Sequence, residues 1–300
     1  MNNIVEKIEE LKKERNAIIL AHNYQRGEVQ DIADFVGDSL ELSRKAAKTD
    51  AEVIIFCGVH FMAETAKILC PDKKVILPDL KAGCPLANMI KPKDLENLKK
   101  EHPNAKVVCY VNTSAEIKAI SDICCTSSNA VKVVNSLKEE EIIFIPDMNL
   151  GNFVSKNTNK KIYIWEGFCP THIWIKKEEI LKLKEKYKDA VAMVHPECLP
   201  DVVEIADYVL STGGMLKMAR ELNEKVFIIG TENGIIHRLK KENPDKLFLA
   251  VSNKIICPNM KRITLKKVLK SLEELKPEIN VEENIRIKAR ISIEKMLEIL

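Results

Sequence analysis

Three cysteines in this chain, Cys84, Cys169 and Cys257, each stand before a proline and shortly after an apolar, strand-like run. They keep register with three hydroxyls, Ser39, Ser127 and Thr212, which precede them by 45, 42 and 45 residues. With nine cysteines and twelve prolines in 300 residues, about 0.4 Cys-Pro pairs are expected by chance, yet the chain has four. One thiolate from each of three equivalent positions gives three ligands at one centre. Soft thiolates select iron-sulfur clusters or zinc. Structural zinc usually takes four ligands with close Cys pairs, and catalytic zinc prefers His and carboxylate partners. The pattern therefore favours a cluster in which one iron lacks a protein thiolate. Three cysteines buried after similar turns would leave the recurrence unexplained. An iron without its cysteine is a Lewis acid, which favours catalysis over electron transfer. The fourth pair, Cys70-Pro71 in CPDKK, matches NPDKL at residues 243–247, where Asn243 replaces the cysteine; it reads as a helix-ending turn with a structural Cys70.

Ser39, Ser127 and Thr212 stand where loops enter helices, so each is a candidate N-cap. In register they predict anion sites for a polyanionic small substrate. Gly213, Gly214 and Gly37 would permit close backbone approach there. His22 and His195 occupy matching strand ends, with Asn112 in the corresponding place of the second copy. Imidazoles facing one cavity suit proton transfer and carboxylate binding. Tyr24, Tyr110 and Glu197 lie two residues from these positions and point the same way in an extended strand. His60, His172 and His237 have no equivalents in register and are weak candidates. Cys57 and Cys109 fall in strands, while Cys124, Cys125 and Cys198 are unrepeated, with a redox or structural role open.

The elements that must position these groups come from an internal repeat. ADFVGDS (33–39), SDICCTS (121–127) and ADYVLST (206–212) place an Asp five residues before each hydroxyl, with the hydroxyls 88 and 85 residues apart. Ahead of each lies a strand (17–24, 106–113, 190–197). Behind each come a helix (40–48, 129–137, 215–222), a second strand (53–56, 142–145, 226–229) and a third strand (74–77, 161–164, 246–250). The predicted fold is α/β: three similar three-layer αβα lobes with parallel sheets, related by pseudo-threefold symmetry around a central active site at the strand carboxyl ends. The boundaries are 1–103 (N-terminal helix and first lobe), 104–188 (second lobe) and 189–300 (third lobe and C-terminal helix). Terminal helices over 2–15 and 281–300 should clasp the outside. Lys+Arg 47 against Asp+Glu 44 leaves a net charge of +3, which points to no nucleic-acid or membrane partner. No apolar run reaches a membrane span of about 18 residues, and a cytoplasmic location is expected.

HNY at 22–24, GDSLELS at 37–43, GCP at 83–85, YVN at 110–112, CTSSNA at 125–130, FCPTH at 168–172, HPEC at 195–198, STGGM at 211–215 and the Cys257-Pro258 turn closely resemble, in order, the motifs of the quinolinate synthase family. The resemblance implies the three-lobed fold and a [4Fe-4S] cluster. It also implies an enzyme of NAD biosynthesis that condenses iminoaspartate (iminosuccinate) with dihydroxyacetone phosphate to quinolinate, releasing phosphate and water. Carried over by motif, Cys84, Cys169 and Cys257 bind the cluster. His22, Ser39, Tyr110, Val111, Asn112, Ser127, His195, Pro196, Glu197 and Thr212 contact substrate. Tyr24, Tyr110, His22, His195 and Glu197 divide the acid-base work. Partners would be small molecules, with transient contact to an aspartate-oxidising enzyme and a monomeric or homodimeric state. A different cluster-dependent hydro-lyase acting on a small dicarboxylate, or a cluster-based redox sensor, would use some of the same residues.

Overall fold

The computed structural model describes residues 2–299; Met1 and Leu300, the outermost residues of the predicted terminal helices and lobes, lie outside the described residues. Twelve strands form three four-stranded sheets. The first holds β1 (Ala17–His22), β2 (Phe35–Gly37), β3 (Val53–Cys57) and β4 (Lys74–Ile76). The second holds β5 (Lys106–Tyr110), β6 (Ile123–Cys125), β7 (Glu141–Ile145) and β8 (Lys161–Ile164). The third holds β9 (Val191–Val194), β10 (Tyr208–Val209), β11 (Val226–Gly230) and β12 (Leu247–Ala250). Every pairing is parallel, and the strand orders are β2-β1-β3-β4, β6-β5-β7-β8 and β10-β9-β11-β12. Each first strand thus sits where the order reverses, the position beyond whose carboxyl end such sheets open a crevice.

The expected lobes are present, each with one more strand than the sequence pattern shows. The extra strand is the repeated motif itself. At two or three residues, β2, β6 and β10 are too short to display an alternating pattern. The repeated Asp explains why the motif recurs. Asp34, Asp122 and Asp207 accept the backbone N-H of Ile19 (2.7 Å), Val107 (2.8 Å) and Ala192 (2.7 Å) in the neighbouring strand. Each also pairs with a lysine: Lys12, Lys106 and Lys184. The motif therefore fastens the edge strand to the central one and fixes the place of the hydroxyl five residues on.

Val53–Cys57 is buried at every position and Glu141–Ile145 at all but the first, as strands covered on both faces must be. One continuous core joins the first two lobes to the helices Leu265–Glu274 and Glu283–Glu298, whereas the third sheet has a separate core on each face. Ile175 and Ile180, from the segment before β9, belong to one of those third-sheet cores. The C-terminal chain returns across the first lobe, where Ile279 N-H reaches Val75 O at 2.8 Å. Its helix Glu283–Glu298 then packs on the second, with Ser292 Oγ donating to Lys118 O at 2.8 Å. Among the described residues, no helix is long and apolar enough to cross a membrane.

Candidate active site

Strand ends and Cys-Pro turns from all three lobes meet at a cavity of about 140 Å³. His22, Tyr24, Ser39, Cys84, Tyr110, Asn112, Ser127, Cys169, His195, Glu197, Thr212 and Cys257 all line it. Val111 and Pro196 do not. They fall between cavity-lining neighbours, Val111 in the bend that follows Tyr110 and Pro196 in the turn that His195 O closes with Cys198 N-H (3.0 Å). The Val111 N-H is spent on Cys125 O (2.9 Å), and Pro196 has none to offer.

The register between lobes differs from the predicted one by two residues in the second copy. Asp34, Asp122 and Asp207 hold Ile19, Val107 and Ala192, and three residues further on stand His22, Tyr110 and His195. Tyr110, not Asn112, is therefore the counterpart of the two histidines, and Asn112 corresponds to Tyr24 and Glu197. Two rings of side chains result, one of aromatic or imidazole groups and one of Tyr, Asn and Glu.

The hydroxyl prediction also needs correcting. Asp38, not Ser39, caps the helix Ser39–Lys48, accepting from Leu40 and Glu41 N-H at 3.0 Å each, while Glu41 answers to Asp38 N-H at 2.8 Å. Ser211, not Thr212, caps Thr212–Glu221 through Gly214 N-H at 3.2 Å. Ser127 lies inside a turn in which Asn129 Oδ1 accepts Thr126 N-H at 2.8 Å, three residues before the helix Ala130–Ser136. Ser39 and Thr212 therefore open their helices one place inside the cap, and they line the cavity together with Ser127. The glycines have local reasons. A Cβ on Gly213 would lie 2.8 Å from Asp38 Oδ2, and one on Gly37 2.8 Å from the Phe35 ring. Asp38 also joins the lobes, taking hydrogen bonds from Ser128 Oγ (2.7 Å) and Ser211 Oγ (3.2 Å).

His22 Nδ1 accepts the N-H of Tyr24 (3.2 Å) and His195 Nδ1 that of Glu197 (3.3 Å), a matched pair of turns. In both neutral rings the proton then sits on Nε2, and that of His195 lies 3.1 Å from Ser127 Oγ. Burial lowers His22 to about 4 and His195 to about 3, so both are neutral hydrogen-bond donors near pH 7. Burial alone would raise Glu197, but His172 first, then His195 and Tyr110, outweigh it and bring the carboxyl down to about 2. It is an ionised acceptor, 2.8 Å from His172 Nδ1 and 3.3 Å from Asn112 Nδ2. Tyr24 and Tyr110 are pushed well above the usual phenol range by burial and then by the Glu197 charge, and keep their protons.

His172, a weak candidate on its spacing, proves central. It is buried, and its Nε2 lies 2.8 Å from Thr231 Oγ1, which is 2.5 Å from the Tyr24 hydroxyl. Tyr24, Thr231, His172 and Glu197 thus form one hydrogen-bonded chain, in which Thr231 lies behind the cavity and the other three line it. Its equivalents three residues after the other cysteines are Ala87 and Met260, so a search for threefold recurrence passes over it. His60 lies outside the cavity on Glu64, and His237 on Asp31 at 3.0 Å.

Cys84, Cys169 and Cys257 are free thiols, and they are the three cysteines that line the cavity. They lie close enough to affect one another electrically. Burial first, then Glu197 and Cys257, raise Cys84 to about 12, and burial, then Glu197 and Cys84, hold Cys169 well above the usual thiol range. Without a metal the three therefore stay neutral thiols, and a cation that takes them as thiolates must displace their protons, so its binding would release protons. Cys169, His172 and Glu197 could also hold a metal ion, their ligand atoms lying within 4.8 Å of one another, although His172 Nδ1 is already engaged by Glu197. Cys124, Cys125 and Cys198 are buried outside the cavity. Cys198 donates to Gly230 O at 3.4 Å, and Cys70 to Ala46 O at 3.1 Å in the predicted structural role.

The profile of the NadA family, quinolinate synthetase A protein, matches residues 6–298. The chain is 59% identical to a quinolinate synthase of Dehalococcoides mccartyi (strain CBDB1) over 297 residues, which cover 99% of this chain and 98% of that protein. It is 55% identical to the quinolinate synthase of Thermodesulfovibrio yellowstonii, covering 100% and 99%, and 54% identical to that of Methanosarcina barkeri, covering 98% and 97%. Full-length identity at this level, over a fold whose repeated motifs all meet at one cavity, leaves a single assignment: the chain belongs to the quinolinate synthetase A (NadA) family.

Proposed function

We propose that this enzyme condenses iminoaspartate with dihydroxyacetone phosphate to quinolinate, releasing phosphate and water, as a step towards NAD. The observation that carries this reading is the meeting, in one cavity, of three thiols, three helix-start hydroxyls and a His/Tyr/Glu set. The substrates bring two carboxylates and a phosphate. Ser39, Ser127 and Thr212, Asn112 and the neutral Nε2-H groups of His22 and His195 supply uncharged donors for them. Enolisation, imine formation and dehydration all move protons. Ionised Glu197 is the base, and Tyr24 and Tyr110, which retain their protons, are the acids. The chain from Tyr24 through Thr231 and His172 returns a proton toward Glu197.

Cys84, Cys169 and Cys257 fit a [4Fe-4S] cluster: three soft donors converge and no fourth cysteine lines the cavity among the described residues. When bound, the cluster would supply a Lewis-acidic iron to a substrate oxygen or nitrogen.

Anaerobically reconstituted protein should give quinolinate only when both substrates are present. Glu197→Gln should lower kcat by roughly 10²–10⁴-fold, the usual worth of a positioned base. A product from the dicarboxylate alone would favour the hydro-lyase reading, and unchanged turnover of Glu197→Gln would remove that residue from the mechanism.

A further inference from the structure

The three cysteine turns are tied down by the same backbone latch. His60 N-H donates to Ala82 O (2.8 Å), Met148 N-H to Gly167 O (2.7 Å) and Asn233 N-H to Ile255 O (2.9 Å). Each acceptor stands two residues before its cysteine. The middle latch needs its glycine, since a Cβ on Gly167 would lie 2.3 Å from Pro146 O. The residues before the donors, Val59, Asp147 and Glu232, are therefore equivalent across the lobes, and they are chemically unlike.

Asp147 is fully buried. One oxygen accepts the N-H of Cys169 itself (3.1 Å), and the other caps the next helix through Leu150 N-H (2.8 Å). Glu232, equally buried, accepts the N-H of Cys257 (3.0 Å) with one oxygen and Gly234 N-H (2.7 Å) with the other, and pairs with Lys261 at 2.9 Å. The Val59 side chain can accept nothing. Burying a carboxylate is costly unless its oxygens are well partnered. Here both oxygens of each are, and one partner in each case is the amide of a proposed ligand. Removing the acceptor would orphan that amide and loosen the turn that aims the sulfur, while the Cys84 turn, which lacks such a clamp, would be untouched.

We propose that Asp147 and Glu232 are positioning residues that clamp Cys169 and Cys257 for metal binding, leaving Cys84 as the ligand held by its latch alone. The inference rests on the cluster reading for its purpose, but the clamp is measurable without the cluster.

In the metal-free full-length chain, iodoacetamide labelling followed by peptide mass spectrometry reads each cysteine separately. Asp147→Ala should speed labelling of Cys169 by at least about fivefold, the low end of what an orphaned buried amide implies, and leave Cys84 and Cys257 unchanged. Glu232→Ala should do the same for Cys257 alone. Asp147→Asn and Glu232→Gln, which keep one acceptor oxygen, should fall between and guard against a variant that misfolds. In reconstituted protein, either alanine variant should lose iron to a chelator about tenfold faster. Unchanged labelling in both alanine variants, or acceleration of all three cysteines together, would overturn the clamp. Absence of iron and sulfide from the reconstituted parent would instead sink the cluster while leaving the labelling result to stand.

Discussion

Residues gain their chemistry here from what surrounds them. His22 illustrates this: its ordinary value is 6.5, and burial brings it to about 4 in the folded chain. Below 6.5 the unfolded chain takes up a proton that the folded chain refuses until about 4. The contribution to stability is therefore complete above 6.5 and declines as pH falls through that window. At about 1.4 kcal/mol per unit, it is on the order of 3 kcal/mol for the metal-free chain. Urea midpoints of metal-free protein between pH 7 and pH 4.5 should fall less steeply for His22→Asn than for the parent, and parallel curves would contradict the neutral-imidazole assignment. Twelve of the fourteen residues expected at the site line the cavity, because their types recur or flank recurring positions. His172, Asp147, Thr231 and Glu232 are illegible in the sequence for the opposite reason. A reaction on an asymmetric substrate needs groups that differ between lobes, and such groups leave no repeat to notice.

Among the elements, the repeated Asp is visible in the sequence as a landmark, but its purpose is not. By spacing it is a neighbour of the hydroxyl; in the fold it is the fastening of the edge strand. Asp122→Ala would strand the buried Val107 N-H, at a cost of roughly 1–3 kcal/mol. Its partner Lys106 is 41% exposed, so Lys106→Met should cost under about 1 kcal/mol. Denaturant midpoints and hydrogen exchange at the Val107 amide separate the two. Equal effects would mean that the ion pair, not the N-H acceptor, is what matters. Two of the caps lie one residue from their expected places because Ser, Thr, Asp and Asn are all good caps. In GDS and STG two candidates stand side by side, and only geometry chooses between them.

At the scale of the whole molecule, the fold class is legible because three diverged copies of one pattern supply their own alignment. The route of the C-terminal chain is not. Nothing in its pattern says that it returns across the first lobe and covers the second. That return joins two lobes in one core while the third keeps its own, and all three still send a Cys-Pro turn to the same cavity. The most direct measurement is anomalous diffraction at the iron edge from crystals grown anaerobically. A single iron peak set bonded to Cys84, Cys169 and Cys257, with one iron free of protein sulfur and facing Glu197 and the helix-start hydroxyls, is the expected result. Zinc on Cys169, His172 and Glu197, or iron away from these three sulfurs, would contradict it.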